Sequence, residues 1–145
     1  MSRAFTEAWF NEQADLCRKV SEFQEKITKF DRSVTVRVRP RPDHGVTAEY
    51  AYCFDFPTMD GTVGPESTAD GDYVLDGDYE AWHRVNEGLD ELVPALMNQT
   101  ILVPKGSVSY VARFLPAIER YMDLARSHTD SYDGDFDVTG TRATA

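Results

Sequence analysis

At 145 residues the chain is long enough for one domain burying roughly two-thirds of its unfolded surface, and a 41% hydrophobic share supplies an apolar core. No run of eighteen apolar residues occurs, so a membrane-spanning helix is excluded, and the opening MSRAFTEAWF lacks the apolar centre of a secretory signal; the expected location is cytoplasmic. The net charge of −10 divides into +2 over residues 1–48 and −12 over 49–145, a field that repels phosphate backbones and anionic membranes, so neither nucleic acid nor stable membrane insertion is expected.

In chain order, Thr6 is placed to cap a first helix at EAWF. Leu16, Val20, Phe23, Ile27 and Phe30 then recur at spacings of 4, 3, 4 and 3, which predicts one helix of about four turns with a single apolar seam. SVTVRVRP sets Val34, Val36 and Val38 against Thr35, Arg37 and Arg39, the alternation of a strand with one buried and one wet face. Pro40, Pro42, Asp43 and Gly45 end it in a turn. VTAEYAYCFDF continues the alternation with Tyr50, Tyr52, Phe54 and Phe56 on one face, and the two runs read as an antiparallel pair. Asp60-Gly61 is a hairpin signal before a short strand at Thr62–Val63.

The next stretch, DGDYVLDGDYEAWHRVNEG, packs Asp70, Asp72, Asp76, Asp78 and Glu80 around Gly71 and Gly77 and invites a metal reading. Asp76, Asp78, Glu80 and Glu87 fit positions 1, 3, 5 and 12 of a calcium loop, but Ala81 stands at position 6, where glycine must turn the backbone. The residues read better as a strand through Tyr73 and Leu75, a turn at Gly77, and a helix capped by Asp78. Glu80 sits in its first turn and Gly88 stops it. Asp90 is placed to cap a short helix, ELVPALM, with Pro94 tolerated in the first turn. TILVP predicts a fifth strand closed by Pro104 and Gly106. Ser107 or Ser109 caps the last helix, whose stripe of Val111, Phe114 or Leu115, Ile118, Met122 and Ala125 is interrupted by Pro116, predicting a kink or a split. Residues 1–127 therefore form a single α+β domain, and the polar, glycine-punctuated residues 128–145 are expected to be a disordered tail.

Catalytic patterns are absent. His44, His83 and His128 fall in a turn, a helix and the tail, and neither G-x-S-x-G nor H-E-x-x-H occurs. Cys17 and Cys53, far apart and outside any C-x-x-C, are expected as free thiols, with no metal and no cofactor. Asp133, Asp135 and Asp137 lack the turn glycine and closing Glu of a cation loop. Arg37, Arg39 and Arg41 beside His44 form a basic stripe that is either a solvated outer face or a grip for an anion. Tyr50, Tyr52 and Phe54 on one strand face, with Trp82, Met97, Phe114, Leu115, Ile118 and Met122 on helices, make an aromatic and methionine-rich set that either fills a core or lines a cavity.

Four segments, in this order, resemble the sterol-carrier-protein (type two) lipid-binding family: FDFPTMDGTV, ADGDYVLDGDYEAWHRVNEG, DELVPALMNQTILVPKG and SYVARFLPAIERYMDLA. The resemblance covers about residues 14 to 126. Asn98-Gln99 stand where the family often has Gly-Lys, and Pro116 lies in a final helix longer than the family's. The resemblance implies a five-stranded, mixed but mainly antiparallel sheet covered on one face by helices, enclosing an apolar cavity. It further implies non-catalytic binding or transfer of a fatty acid, fatty acyl-CoA or sterol-like molecule, with the nine residues just named as ligand contacts. The alternative is an accessory subunit docking on a partner enzyme of hydrophobic-substrate metabolism, suggested by small size and an acidic surface.

Overall fold

The computed structural model describes residues 1–56, 58, 61–63 and 71–137. A short strand β1 (Ser2–Arg3) leads into α1 (Glu7–Lys19), where the Thr6 hydroxyl accepts from the Trp9 N–H at 3.3 Å as the expected cap. The seam predicted as one helix is broken: Val20 is extended, at φ −97° and ψ 99°, and α2 (Ser21–Ile27) starts after it. Gln24 Nε2 donates to the carbonyl of Cys17 at 2.9 Å, satisfying a group freed by the break. The break lets α1 bury Trp9, Phe10, Gln13 and Cys17 while α2 turns Phe23 and Ile27 toward a different part of the core.

Then come β2 (Ser33–Arg39), β3 (Tyr50–Asp55), β4 (Gly61–Val63) and β5 (Tyr73–Asp78). The hairpin residue Asp60, and Asp70 of the acidic stretch, lie outside the described residues. Helix α3 (Tyr79–Asn86) is capped by Asp78, whose carboxylate accepts from the Ala81 N–H at 2.8 Å. Helix α4 (Leu92–Met97) is not capped by Asp90 as expected; Arg84 donates to that carboxylate at 2.9 Å, and Glu91 takes the N-cap position without a side-chain bond. An ion pair outcompetes the cap.

Edge strand β6 (Leu102–Lys105) tolerates Pro104 because an edge needs no full ladder. The last helix is split, as Pro116 predicts, into α5 (Val108–Ala112), capped by Ser107, and α6 (Leu115–His128). Proline has no N–H for the Ala112 carbonyl, so the chain restarts with Pro116 in the first turn of α6.

The main sheet has five strands in the order β4-β3-β2-β5-β6, antiparallel except for the parallel pair β2–β5. Its register aligns Val34 with Phe54 and Tyr73, and Val36 with Tyr52 and Leu75, which gives one apolar platform facing the helices. On the other face Thr35 is also buried, accepting from the Gly71 N–H at 2.9 Å.

The expected disordered tail is corrected for residues 128–137. Strand β7 (Thr129–Ser131) pairs in parallel with β1 in a second small sheet. His128 is 4% exposed and Tyr132 3%, and Phe136 packs against Tyr79 and His83. Their polarity marked them as loop, yet His128, Thr129 and Tyr132 all find partners inside the fold; residues 138–145 of the expected tail lie outside the described residues.

Candidate functional site

The sheet platform does not meet its helical cover everywhere. Between them lies a pocket with about 90 Å³ of free space. Val34, Val36, Phe54, Tyr73 and Leu75 form its floor. Phe23 and Ile27 of α2, Trp82 of α3, Leu92 of α4, Val111 of α5 and Ala117, Ile118, Tyr121 and Met122 of α6 form walls and roof, joined by Phe30, Phe56 and Phe114. Phe30 sits within an aromatic cluster, its ring centroid 5.1 Å from Phe114 and 5.6 Å from both Tyr73 and Phe56.

Polar atoms near this space are turned away from it. Trp82 Nε1 donates to the Arg37 carbonyl at 2.9 Å, and the Tyr73 hydroxyl donates to the Ser107 carbonyl at 3.0 Å. Two glycines make these bonds reachable. A Cβ at Gly77 would lie 3.1 Å from Trp82 Nε1, and one at Gly106, which sits at φ 113°, would overlap the Tyr73 ring. Burial pushes the Tyr73 and Tyr121 hydroxyls above the ordinary tyrosine range, so both remain neutral.

A second, outer cleft of about 290 Å³ lies between the α3–α4 segment and α6. It is lined by Val85, Gly88, Val93 and Leu115 together with Asp90, Glu91, Glu119, Asp123 and Arg126. Leu92, Ile118 and Met122 line both spaces and so form the partition between them.

Of the nine residues singled out in the sequence, Phe54, Trp82, Phe114, Ile118 and Met122 meet around the inner pocket. The other four are elsewhere. Tyr52 shares the platform but is covered by α1, its ring centroid 3.7 Å from that of Phe10. The Tyr50 hydroxyl donates to Asp133 at 2.6 Å, and that carboxylate also binds Arg3 at 3.0 Å. Met97 is 71% exposed, and Leu115, 40% exposed, lines the outer cleft. Phe23, Ile27 and Phe30, predicted only as part of a helical apolar seam, also line the pocket. Tyr121, three residues after Ile118, carried a helical-spacing signal that was not used.

Among the described residues no three His, Cys, Asp or Glu side chains gather as metal ligands, and no helix is long and apolar enough to cross a membrane. Asp78 is committed to a cap and to Arg41 at 3.3 Å, and Asp76 to Arg39 at 2.7 Å. These pairs largely neutralise the basic stripe. Cys17 and Cys53 are both free, and burial pushes the Cys17 thiol up to about 12, well away from a reactive thiolate. His83 stacks edge-on against Tyr132 at 4.5 Å.

No family model matches the sequence, and no curated protein matches it. Solved structures do. A crystal structure of sterol carrier protein 2 is 25% identical, with a TM-score of 0.73 over 86% of this chain and 98% of that one. A conserved hypothetical protein of Thermus thermophilus, described as possibly a sterol carrier protein, is 25% identical with a TM-score of 0.75 over 88% and 90% of the two chains. The apo form of sterol carrier protein 2 from Yarrowia lipolytica shares the fold at 19% identity, with a TM-score of 0.52 over 82% and 90%. Shared fold over 86% and 88% of this chain, together with the motif order of the sequence, makes this chain a sterol-carrier-protein-2-like domain.

Proposed function

We propose that the domain binds and carries a hydrophobic small molecule, without catalysis, in the pocket between sheet and helices. The observation that supports this most directly is a space walled by aromatic, aliphatic and methionine side chains from the sheet and α2–α6, with its nearest polar groups bonded away from it. A fully packed core leaves no such space.

At about 90 Å³ the pocket is smaller than the ~300–1,000 Å³ typical of ligand sites, so a long chain is accommodated only when its walls move. Phe114, Ile118, Tyr121 and Met122, all half-buried, are the side chains with room to do so. Methionine adapts to irregular ligand shapes, and apolar contacts impose no directional bonds that movement must break. Each methylene enclosed contributes ~0.8 kcal/mol, so about ten offset association costs well enough for micromolar binding.

The test is native purification followed by organic extraction and mass spectrometry, with displacement of Nile red by aliphatic compounds. A bound amphiphile, or displacement at micromolar concentration, is expected. An empty protein that takes up no probe would remove the carrier reading.

A further inference from the structure

Given the carrier reading, on which this rests, we infer that the ligand's polar end lies in the outer cleft between α4 and α6. The acidic rim there selects an uncharged head group, such as the hydroxyl of a sterol or long-chain alcohol, over a carboxylate or a phosphate-bearing conjugate. The two spaces share Leu92, Ile118 and Met122 as their partition, so displacing these side chains joins a dry chamber to a half-polar vestibule.

The inner chamber has no place for a head group. Its tryptophan N–H and the Tyr73 hydroxyl already serve backbone carbonyls, the Tyr121 hydroxyl is turned to the Gln13 side chain, and a buried polar group without a partner is costly. An amphiphile with its tail inside therefore leaves its polar end on the far side of the partition.

The charge there is one-sided. Asp90, Glu91, Glu119 and Asp123 line the cleft against a single lining cation, Arg126. Arg126 is bonded to Asp123 at 2.7 Å, and Asp90 is held by Arg84 from outside at 2.9 Å. Glu91 and Glu119 are left without an ion-pair partner among the described residues, at the mouth through which the head group would project. Within a Debye length of ~10 Å at 0.1 M salt, two uncompensated carboxylates repel an anionic head and leave a hydroxyl unpenalised. The basic stripe of Arg37 and Arg39 lies on the opposite sheet face and supplies no compensating charge.

The test pairs two ligands of equal chain length, dodecanol and laurate, competing with Nile red at pH 8. Because laurate is better hydrated in any case, the informative quantity is how the ratio of their affinities responds to charge. Dodecanol is expected to bind about tenfold more tightly. The double variant Glu91→Gln/Glu119→Gln, with its fold checked by circular dichroism, should narrow that ratio at least threefold through stronger laurate binding, and 0.5 M salt should narrow it in the unmodified protein. Laurate binding as well as dodecanol, or a ratio indifferent to the double variant, overturns the selectivity while leaving the carrier reading standing. No uptake of Nile red or of either competitor overturns both.

Discussion

Along α6, the turns from Leu115 to Met122 present Ala117, Ile118, Tyr121 and Met122 to a space without free polar groups, whereas the stretch from Leu124 to His128 is held by hydrogen bonds on several sides. At that second end the Thr129 hydroxyl donates to the Ala125 carbonyl at 2.7 Å and accepts from Trp9 Nε1 at 2.8 Å and Asn86 Nδ2 at 3.2 Å. One hydrogen and two lone pairs are all in use. The ring nitrogens of His128 lie 2.8 Å from Glu12 Oε1 and 2.7 Å from Gln13 Oε1, while Gln13 Nε2 donates to the Tyr121 carbonyl at 2.9 Å. Directional bonds of this kind admit one arrangement of α1, α3, α6 and β7. Contacts among greasy side chains specify volume but little direction, so they repack at small cost. The fold thus fixes one end of its longest helix and leaves the other adaptable, which is the division a carrier needs.

The largest test of this contrast removes the fixed end. A chain ending after Ser127 loses His128, Thr129 and Tyr132, all buried. It should lose at least about 5 kcal/mol, a large part of the ~5–15 kcal/mol typical of whole domains. A chain ending after Asp137 keeps all three and should melt well above the shorter one. Equal melting of the two truncations would show that β7 and the polar network anchor nothing.

Single substitutions sharpen the contrast. Trp9→Ala removes a buried ring that packs edge-on against Phe5 at 5.4 Å and Phe10 at 4.8 Å, and it strands part of the Thr129 bond set. A cost of about 3–5 kcal/mol is expected in urea unfolding. Met122→Ala, at a half-buried wall of an existing space, should cost less than about 2 kcal/mol and should speed Nile red uptake in stopped-flow fluorescence, because it thins the partition. Similar costs for the two, with unchanged uptake, would erase the distinction between the ends.

The same contrast explains what the sequence made legible. Strand alternation in β2 and β3 and the local signals Thr6, Asp78, Gly88, Ser107 and Pro116 act over a few residues, and each appears where the pattern placed it. The failures involve side-chain partners that lie outside the local pattern, whether six residues away or more than a hundred. Asp90 looked like a cap because its competitor, Arg84, had not been weighed as an ion-pair partner. His128, Thr129 and Tyr132 read as tail because their bonds run to Glu12, Trp9 and Asn86, far away in sequence. For the site, the residue types and helical spacing were visible. Which aromatic residues border space and which, like Tyr52 under Phe10, are covered depends on how α1 and α2 diverge at Val20.

The smallest expected effect is a pH dependence confined to the fixed end. The Glu12 carboxylate accepts from the Met1 ammonium at 2.9 Å and the Ser2 hydroxyl at 3.2 Å, besides facing His128. Its pKa is held below the ordinary 4.5, chiefly by the ammonium's hydrogen bond and against the opposing effect of burial. A carboxyl that ionises more readily folded than unfolded contributes stability that is complete above its ordinary pKa and is lost as pH falls through the lowered folded value. The stability gap between the unmodified protein and Glu12→Gln should therefore be full at about pH 7 and should shrink steadily below about pH 4.5, as read from urea midpoints. No carboxylate or amine lines the inner pocket among the described residues, and the Met122 thioether forms no ion pair with the carboxylates it borders in the outer cleft, so the Met122→Ala gap should stay flat over the same range. A Met122 gap that tracks pH in parallel with that of Glu12 would mean the two ends of α6 are coupled, and the adaptable end could not move without loosening the fixed one.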